Sequence, residues 1–311
     1  MNMTHIGGSK VRLNIDAAID DLSGVVKVGE YLLLGNDEGH QLLVCKSGDN
    51  GKSWQLVECV ELSDAEDETD IEALTYSDGF LYVVGSHSLR RRSLKPNRLT
   101  VRQNRKRFAR VEAQKSRNRL YRIPFDKASG KLGKPESIDL SKRLRKDPFL
   151  GPFTRIASKE NGVDIEGMVA HQGKLFVGFR GPVLRDNLVP VMLLDFERPK
   201  DYELCFVDLR GNGIRDMVSL GDSLLLLAGP ASDAPGPFCL WWWDGEDQLP
   251  GTDHIVRPTS RLGILDVPAG GKAEGLALLK TQGDDIELLL VIDGVGSERA
   301  HRLNLTVSAT R

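Results

Sequence analysis

The sequence predicts an all-β fold, a five-bladed β-propeller closed by its N-terminal strand, and three observations carry that reading. Five short segments look like copies of one another: DLSGV at residues 21–25, DIEAL at 70–74, DIEGM at 164–168, GIRDM at 213–217 and KAEGL at 272–276. Each opens a run of about twenty residues with one layout, an apolar strand, a turn, and a second strand ending in glycine or a small polar residue; such a unit repeated along a chain marks a propeller. An unmatched strand at 11–16 (VRLNID) precedes the first unit, while the last unit stops one strand short at Arg311. Pairing the two closes the ring and removes two sheet edges at once.

The elements follow in order. Blade one reads as an inner strand at 23–27, a second at 31–35, a third at 41–46 and an outer one at 54–62, all rich in Val, Leu and aromatics and separated by Gly, Asp and Asn turns. Blade two begins at 70 with DIEALTYSDGFLYVVGSHS, breaks, and resumes at 118–125 and 134–140. Blade three is DIEGMVAHQGKLFVGFRGPV, then VPVMLLDF and ELCFVDL. Blade four is GIRDMVSLGDSLLLLAGP, then PFCLWWWDG and a strand near 261–267; blade five is KAEGLALLKTQGDDIELLLVIDG and HRLNLTV. Strand alternation sends the neighbouring Trp241, Trp242 and Trp243 to opposite faces, so they are expected to pack between blades.

The shared third positions are spaced 49, 94, 49 and 59 residues apart (23, 72, 166, 215, 274). The long interval leaves a sixth blade as the alternative, but its excess has the wrong composition for strands. Residues 90–122 hold fourteen Lys or Arg against one acid, Glu112. The stretch reads as a basic arm, helical or extended, with the insertion proper at 90–118 on the channel-mouth face; residues 141–162 read as a long loop. All 311 residues are taken as a single propeller domain.

Composition bounds the rest. A hydrophobic content of 40% is ample for a core, and the formal charge of −2 conceals an uneven distribution. The N-terminal MNMTHIGGSK is too polar for a signal peptide, and no apolar run approaches a bilayer span. Cys45, Cys59, Cys205 and Cys239 lack C-x-x-C spacing and sit mostly in strand patterns, which suits reduced, buried thiols in a cytoplasmic protein.

Propeller geometry converts position into place. The start of each inner strand and the end of the second lie on one face near the axis. The starts are Ser23, Glu72, Glu166, Arg215 and Glu274; the ends are Asn36 and Asp37, Ser86 and His87, Arg180, Pro230, and Asp293. Three glutamates converging on one axis repel unless something positive sits among them. An oxygen-only ring of Ser23, Glu72, Glu166 and Glu274 suits Ca²⁺ or Mg²⁺; alternatively, the fork of Arg215 bonds two carboxylates. Asn36, Asp37, Ser86 and Asp293 are candidate ligand-binding residues, and His87, Arg180 and Arg215 candidate catalytic ones: His87 to move protons, the arginines to stabilise developing charge. Ties between inner strands are the bland alternative for the ring. The basic arm beside the mouth would attract an anion, either a small molecule or nucleic acid, although only Phe108 and Tyr121 offer base stacking. No P-loop, nucleophile elbow, zinc-protease motif or dinucleotide fingerprint is present.

Resemblances sharpen these expectations. The turn SGDNGKSW at 47–54 resembles the Asp-box of sialidase-type propellers, with Ser53 for the usual Thr, and implies a structural turn. DIEALTYSDGFLYVVGSHS and DIEGMVAHQGKLFVGFRGPV, with the basic insert after the first, resemble a bacterial propeller family of unknown function, DUF3616, over about residues 20–294. More distantly, the ring is similar to five-bladed calcium-activated nucleotidases (apyrases), which implies a central Ca²⁺ on Ser23, Glu72, Glu166 and Glu274. Arg215 departs from that pattern. The D-x-E-G starts also resemble phytase-like and esterase-like propellers. The resulting expectation is a hydrolase of an anionic small molecule, a phosphate ester, with a non-catalytic ligand- or protein-binding propeller and nucleic-acid binding by the arm as alternatives; no membrane association is expected.

Overall fold

The five repeat segments each open the innermost strand of a sheet, and the five sheets stand around one axis. The computed structural model describes residues 4–15, 21–37, 39–62 and 69–307. Blade one comprises Leu22–Val28, Tyr31–Asn36, Gln41–Lys46 and Ser53–Glu61. Blade two is Ile71–Ser77, Phe80–Gly85 and Leu120–Asp126, with the short Glu136–Ile138 and Lys131–Leu132 pairing outside. Blade three is Asp164–His171, Lys174–Gly181, Leu188–Leu194 and Glu203–Asp208. Blade four is Gly213–Leu220, Ser223–Gly229, Cys239–Trp243 and Ser260–Leu265; blade five is Lys272–Gln282, Asp285–Asp293 and Ala300–Thr306. Inner strands touch in chain order, and the fifth touches the first. The ring therefore has five blades, not six.

Each blade buries both faces against its neighbours, so the core consists of wedges between sheets. Ile165, Met168 and Val177 of blade three meet Ala73, Val84 and Leu120 of blade two. On its other face, Phe176 and Val191 meet Leu226, Trp241 and Trp243 of blade four. Trp242 points the opposite way, toward blade five. The alternation expected for the tryptophans is thus observed. All four cysteines are free; Cys45 and Cys239 are buried, but Cys59 is exposed on an outer strand and Cys205 half-buried, so the expectation of burial holds for two. No helix among the described residues is long and apolar enough to cross a membrane.

Closure is more elaborate than one strand. His5–Ile6 lies parallel to the outer strand of blade four, Ser9–Lys10 antiparallel to Ala300–Thr306 of blade five, and Arg12–Asn14 parallel to the outer strand of blade one. The segment at 11–16 was expected to complete blade five. Residues 9–10 do that instead, Val11 adds one bond to Ala300, and residues 12–14 pass on to blade one; Asp16 lies outside the described residues. The shift is a matter of reach: one extended thread crosses three sheet edges in succession.

The Asp-box turn is structural. Asp49 accepts from the amide and hydroxyl of Ser53 at 2.8 and 2.7 Å, and Trp54 is buried beneath. The long loop expected at 141–162 contains a helix, Ser141–Lys146, and a 3₁₀ turn, Gly151–Arg155. Leu140 and Leu144, one helical turn apart, sink with Leu150 into the wedge between blades two and three. The basic insertion is a hairpin, Leu89–Arg91 with Val111–Ala113, whose tip carries the helix Val101–Phe108.

Candidate functional site

All five anchor residues reach the axis by one backbone device. In every inner strand the pairing register slips there: Leu22 to Val25, Ile71 to Ala73, Ile165 to Gly167, Ile214 to Asp216 and Ala273 to Gly275 are consecutive paired residues. The unpaired residue between is Ser23 (with Gly24), Glu72, Glu166, Arg215 or Glu274. A β-bulge re-aims its extra side chain, and here five bulges aim five polar groups into one cup. A sixth, on the partner strand of blade three, lifts Arg180 out of register between Phe179 and Gly181. Inner strands approach so closely that a Cβ on Gly275 would stand 2.6 Å from the Ser23 carbonyl oxygen.

The cup is a cavity of about 820 Å³ whose wall includes all five anchors with Asp37, Asp70, Asp164, Arg117, Arg180 and Asp293. Arg215 occupies the hub. One of its nitrogens donates to Glu166 at 2.8 Å and to Glu274 at 2.6 Å, and the other to the Pro230 carbonyl at 3.4 Å. Arg180 bonds Glu166 at 2.5 Å and also Asp164. Arg117, from the end of the basic insertion, bonds Asp70 at 2.7 Å, and Lys272 bonds Asp293 at 2.9 Å. The Ser23 hydroxyl donates to the Ile71 carbonyl.

Two carboxyls are left out of this lattice of charges. Among the described residues Glu72 forms no ion pair, and burial, then Asp70, Glu166 and Asp164, push it well above the usual carboxylate range. Asp37 is pushed up to about 8 by burial, then by Asp70, Asp21 and Asp293, and its Oδ1 meets no hydrogen-bond partner. Asp164 and Glu166 are also raised by burial, but the Arg180 guanidinium pulls both back, joined at Glu166 by Arg215. All four carboxyls are thus raised, with guanidiniums opposing the rise at Asp164 and Glu166 and, among the described residues, no bonded cation opposing it at Glu72 and Asp37.

The predicted ring is thus brought together, with a different centre. A cation held by Ser23, Glu72, Glu166 and Glu274 does not fit, because Arg215 already joins two of the four. The oxygens that converge are those of Glu72, Asp164 and Glu166, all within 4.8 Å of one another, a set that could hold a metal ion; Arg180 bonds two of them. Asp37, Arg180 and Asp293 line the cup as expected, whereas Asn36, Ser86 and His87 are not among its lining residues. Ser86 is buried and shares a 2.9 Å bond with Ser88. His87 has φ 54°, a left-handed conformation that turns its ring back so that Nδ1 donates to the Gly85 carbonyl at 2.8 Å; burial pushes it down to about 4. It is a poor proton shuttle near neutrality.

Asp70, Asp164, Arg117 and Asp216 were not anticipated. The two aspartates open the D-x-E motif, and residues two apart on a strand share a side, so that signal was present. Asp216 is buried beneath the hub and accepts from the amides of Met217 at 2.8 Å and Leu276 at 2.7 Å, tying blade four to blade five. It stands where the other repeats carry Gly or Ala (Gly24, Ala73, Gly167, Gly275).

A five-bladed propeller with an ion-paired, carboxyl-rich cup at one end of its channel is the class that fold and site define. Within it, the chain belongs to the family described as "Protein of unknown function (DUF3616)", whose model matches residues 21–309. Comparison with curated proteins gave no match. Among solved structures, the glutaminyl cyclase of Myxococcus xanthus is similar over 99% of this chain and 100% of its own, with a TM-score of 0.51 and 10% identity. The endosialidase of phage phi92 is similar over 99% of this chain with a TM-score of 0.50 and 9% identity; the chain spans 59% of that protein. Both neighbours are enzymes by name, and at these identities the likeness is one of fold.

Proposed function

We propose that the cup is the active site of a hydrolase acting by carboxyl acid–base chemistry on a small, polar, hydroxyl-bearing molecule. The observation that carries this is the contrast between Glu72, with nothing positive bonded to it, and Asp164 and Glu166, both bonded by Arg180, with oxygens of all three within 4.8 Å of one another. Carboxyls whose surroundings drive their protonation apart supply an acid and a base in one place. Glu72 donates a proton to the leaving group; Asp37, also held protonated, is a second donor across the cup. The ionised Asp164 or Glu166 orients and deprotonates the attacking water, and Arg180 steadies developing negative charge. A phosphate ester fits less well than the sequence suggested. Arg117, Arg180, Arg215 and Lys272 are already engaged by carboxylates, which leaves little to bind a dianion in the depth of the cup.

The test is a screen of chromogenic glycosides, lactones, carboxylate esters and phosphate esters with the intact chain. Glu72→Gln, isosteric but unable to donate a carboxyl proton, is expected to lower turnover by about 10²–10⁴-fold with an unchanged melting temperature. Activity should fall as pH rises through about 8, where Asp37 gives up its proton. Full activity in Glu72→Gln, or no turnover of any class, would overturn the reading.

A further inference from the structure

The cup and the basic insertion divide their charges differently. Of the cup's cations, Arg91, Arg117, Lys159, Arg180, Arg215 and Lys272 are all ion-paired. On the insertion, Lys95, Arg98, Arg102, Arg105, Lys106, Arg110 and Lys115 are exposed, and none forms an ion pair among the described residues. The tip is nevertheless built, not loose. Thr100 caps the helix Val101–Phe108 in a reciprocal box with Gln103, Arg107 donates to the Ser93 carbonyl at 2.6 Å, and Arg91 donates to the Phe108 carbonyl at 2.7 Å and reaches Glu160 on the neighbouring loop. Structure is therefore invested in displaying seven uncompensated cations, a costly arrangement for a surface with nothing to bind.

We propose that this insertion is a nucleic-acid-binding arm that takes the phosphodiester backbone of a strand. Eleven of the fourteen cations between residues 90 and 122 are arginine, whose planar fork matches phosphate oxygens where lysine offers a point charge. A second cleft, of about 770 Å³, runs along the hairpin between Arg90, Arg92, Arg107 and Lys115, with Glu112 as its one acid. It shares Arg90, Arg92 and Ser93 with the cup, so a strand following the arm passes along the cup's rim. A membrane surface fits worse. An interfacial helix needs a broad apolar face, and Val101 and Phe108 are the two apolar side chains among the eight in this one, Phe108 being stacked by Arg91 at 5.2 Å. With little aromatic surface on offer, recognition is of the backbone and not of base sequence.

The inference is independent of the carboxyl chemistry. Fluorescence anisotropy of labelled 20-nucleotide oligo-dT and oligo-U, measured from about 50 to 300 mM salt, tests it alongside phosphatidylglycerol vesicles. The intact chain should bind the oligonucleotides with an affinity that falls steeply with salt. The variant Arg98→Gln/Arg102→Gln/Arg105→Gln/Lys106→Gln, altered only at exposed positions, should keep its melting temperature, bind at least about tenfold more weakly, and flatten the logarithmic salt slope by up to about 3, some 0.7 for each phosphate no longer neutralised. Glu72→Gln should bind as the parent does, which separates this result from the fate of the hydrolase. Equal binding of the DNA and RNA strands, or a preference for either, supports the arm. No binding at the lowest salt, an unchanged affinity and slope in the variant, or binding to vesicles alone would refute it.

Discussion

Arg215 shows how one guanidinium can settle what three glutamates leave open. Glu166, Glu274 and Arg215 are at least partly buried, and removing one member of a buried charge cluster leaves its partners uncompensated, at about 3–5 kcal/mol. Arg215→Met should therefore lower the melting temperature by more than about 5 °C, and Arg215→Lys should restore part of it, since an ammonium cannot reproduce the fork. A loss under about 1 °C in thermal unfolding of Arg215→Met would show that the hub is dispensable. At this scale the sequence was informative where chemistry and spacing coincided: all five anchor positions line the cup. It misled where a single φ decided orientation, as at His87, and was silent where the motif's first residue, Asp70 or Asp164, joins the cup without standing at the shared third position. That Arg180 serves Asp164 and Glu166 was not legible at all, because it depends on a bulge in the opposing strand.

At the scale of elements, periodicity identified nearly every strand to within two residues, because each blade buries both faces and leaves long apolar runs. Where burial came from a few residues, the signal was thinner. The helix Ser141–Lys146 is held chiefly by Leu140 and Leu144 and reads as loop amid its lysines and arginines. The N-terminal thread was harder still, since paired runs of two or three residues carry no periodicity. Its contribution is measurable. A variant lacking residues 4–14 uncovers the outer edges of blades four, five and one together, and open edges recruit other chains. It should melt at least about 5 °C lower, reflecting the loss of about 3 kcal/mol or more, and should aggregate on heating where the intact chain does not. Light scattering during a thermal ramp reads both; coincident curves would mean that the thread is ornamental.

For the whole molecule, the crowded cup sets the dependence of stability on pH. Asp37 holds its proton up to about 8 in the fold, whereas an unfolded aspartate releases it near 4. Between those values the folded state binds the extra proton, so stability falls as pH rises and levels off beyond about 8. His87, pushed down to about 4, acts in the opposite sense, but only below about 6.5. The melting temperature should accordingly decline from pH 7 to pH 8.5, and Asp37→Asn, which has no proton to lose, should gain about 2 °C over the parent at the upper end; parallel profiles for the two chains would place the pH dependence elsewhere. The thread across three blades has a further consequence, for biosynthesis. His5 has no docking site until Ile264 has been made, and Ser9 none until Arg302 has followed. During synthesis the thread must wait for partners about 260 to 290 residues further along the chain, and loop closure over that span makes locking of the wheel a slow event.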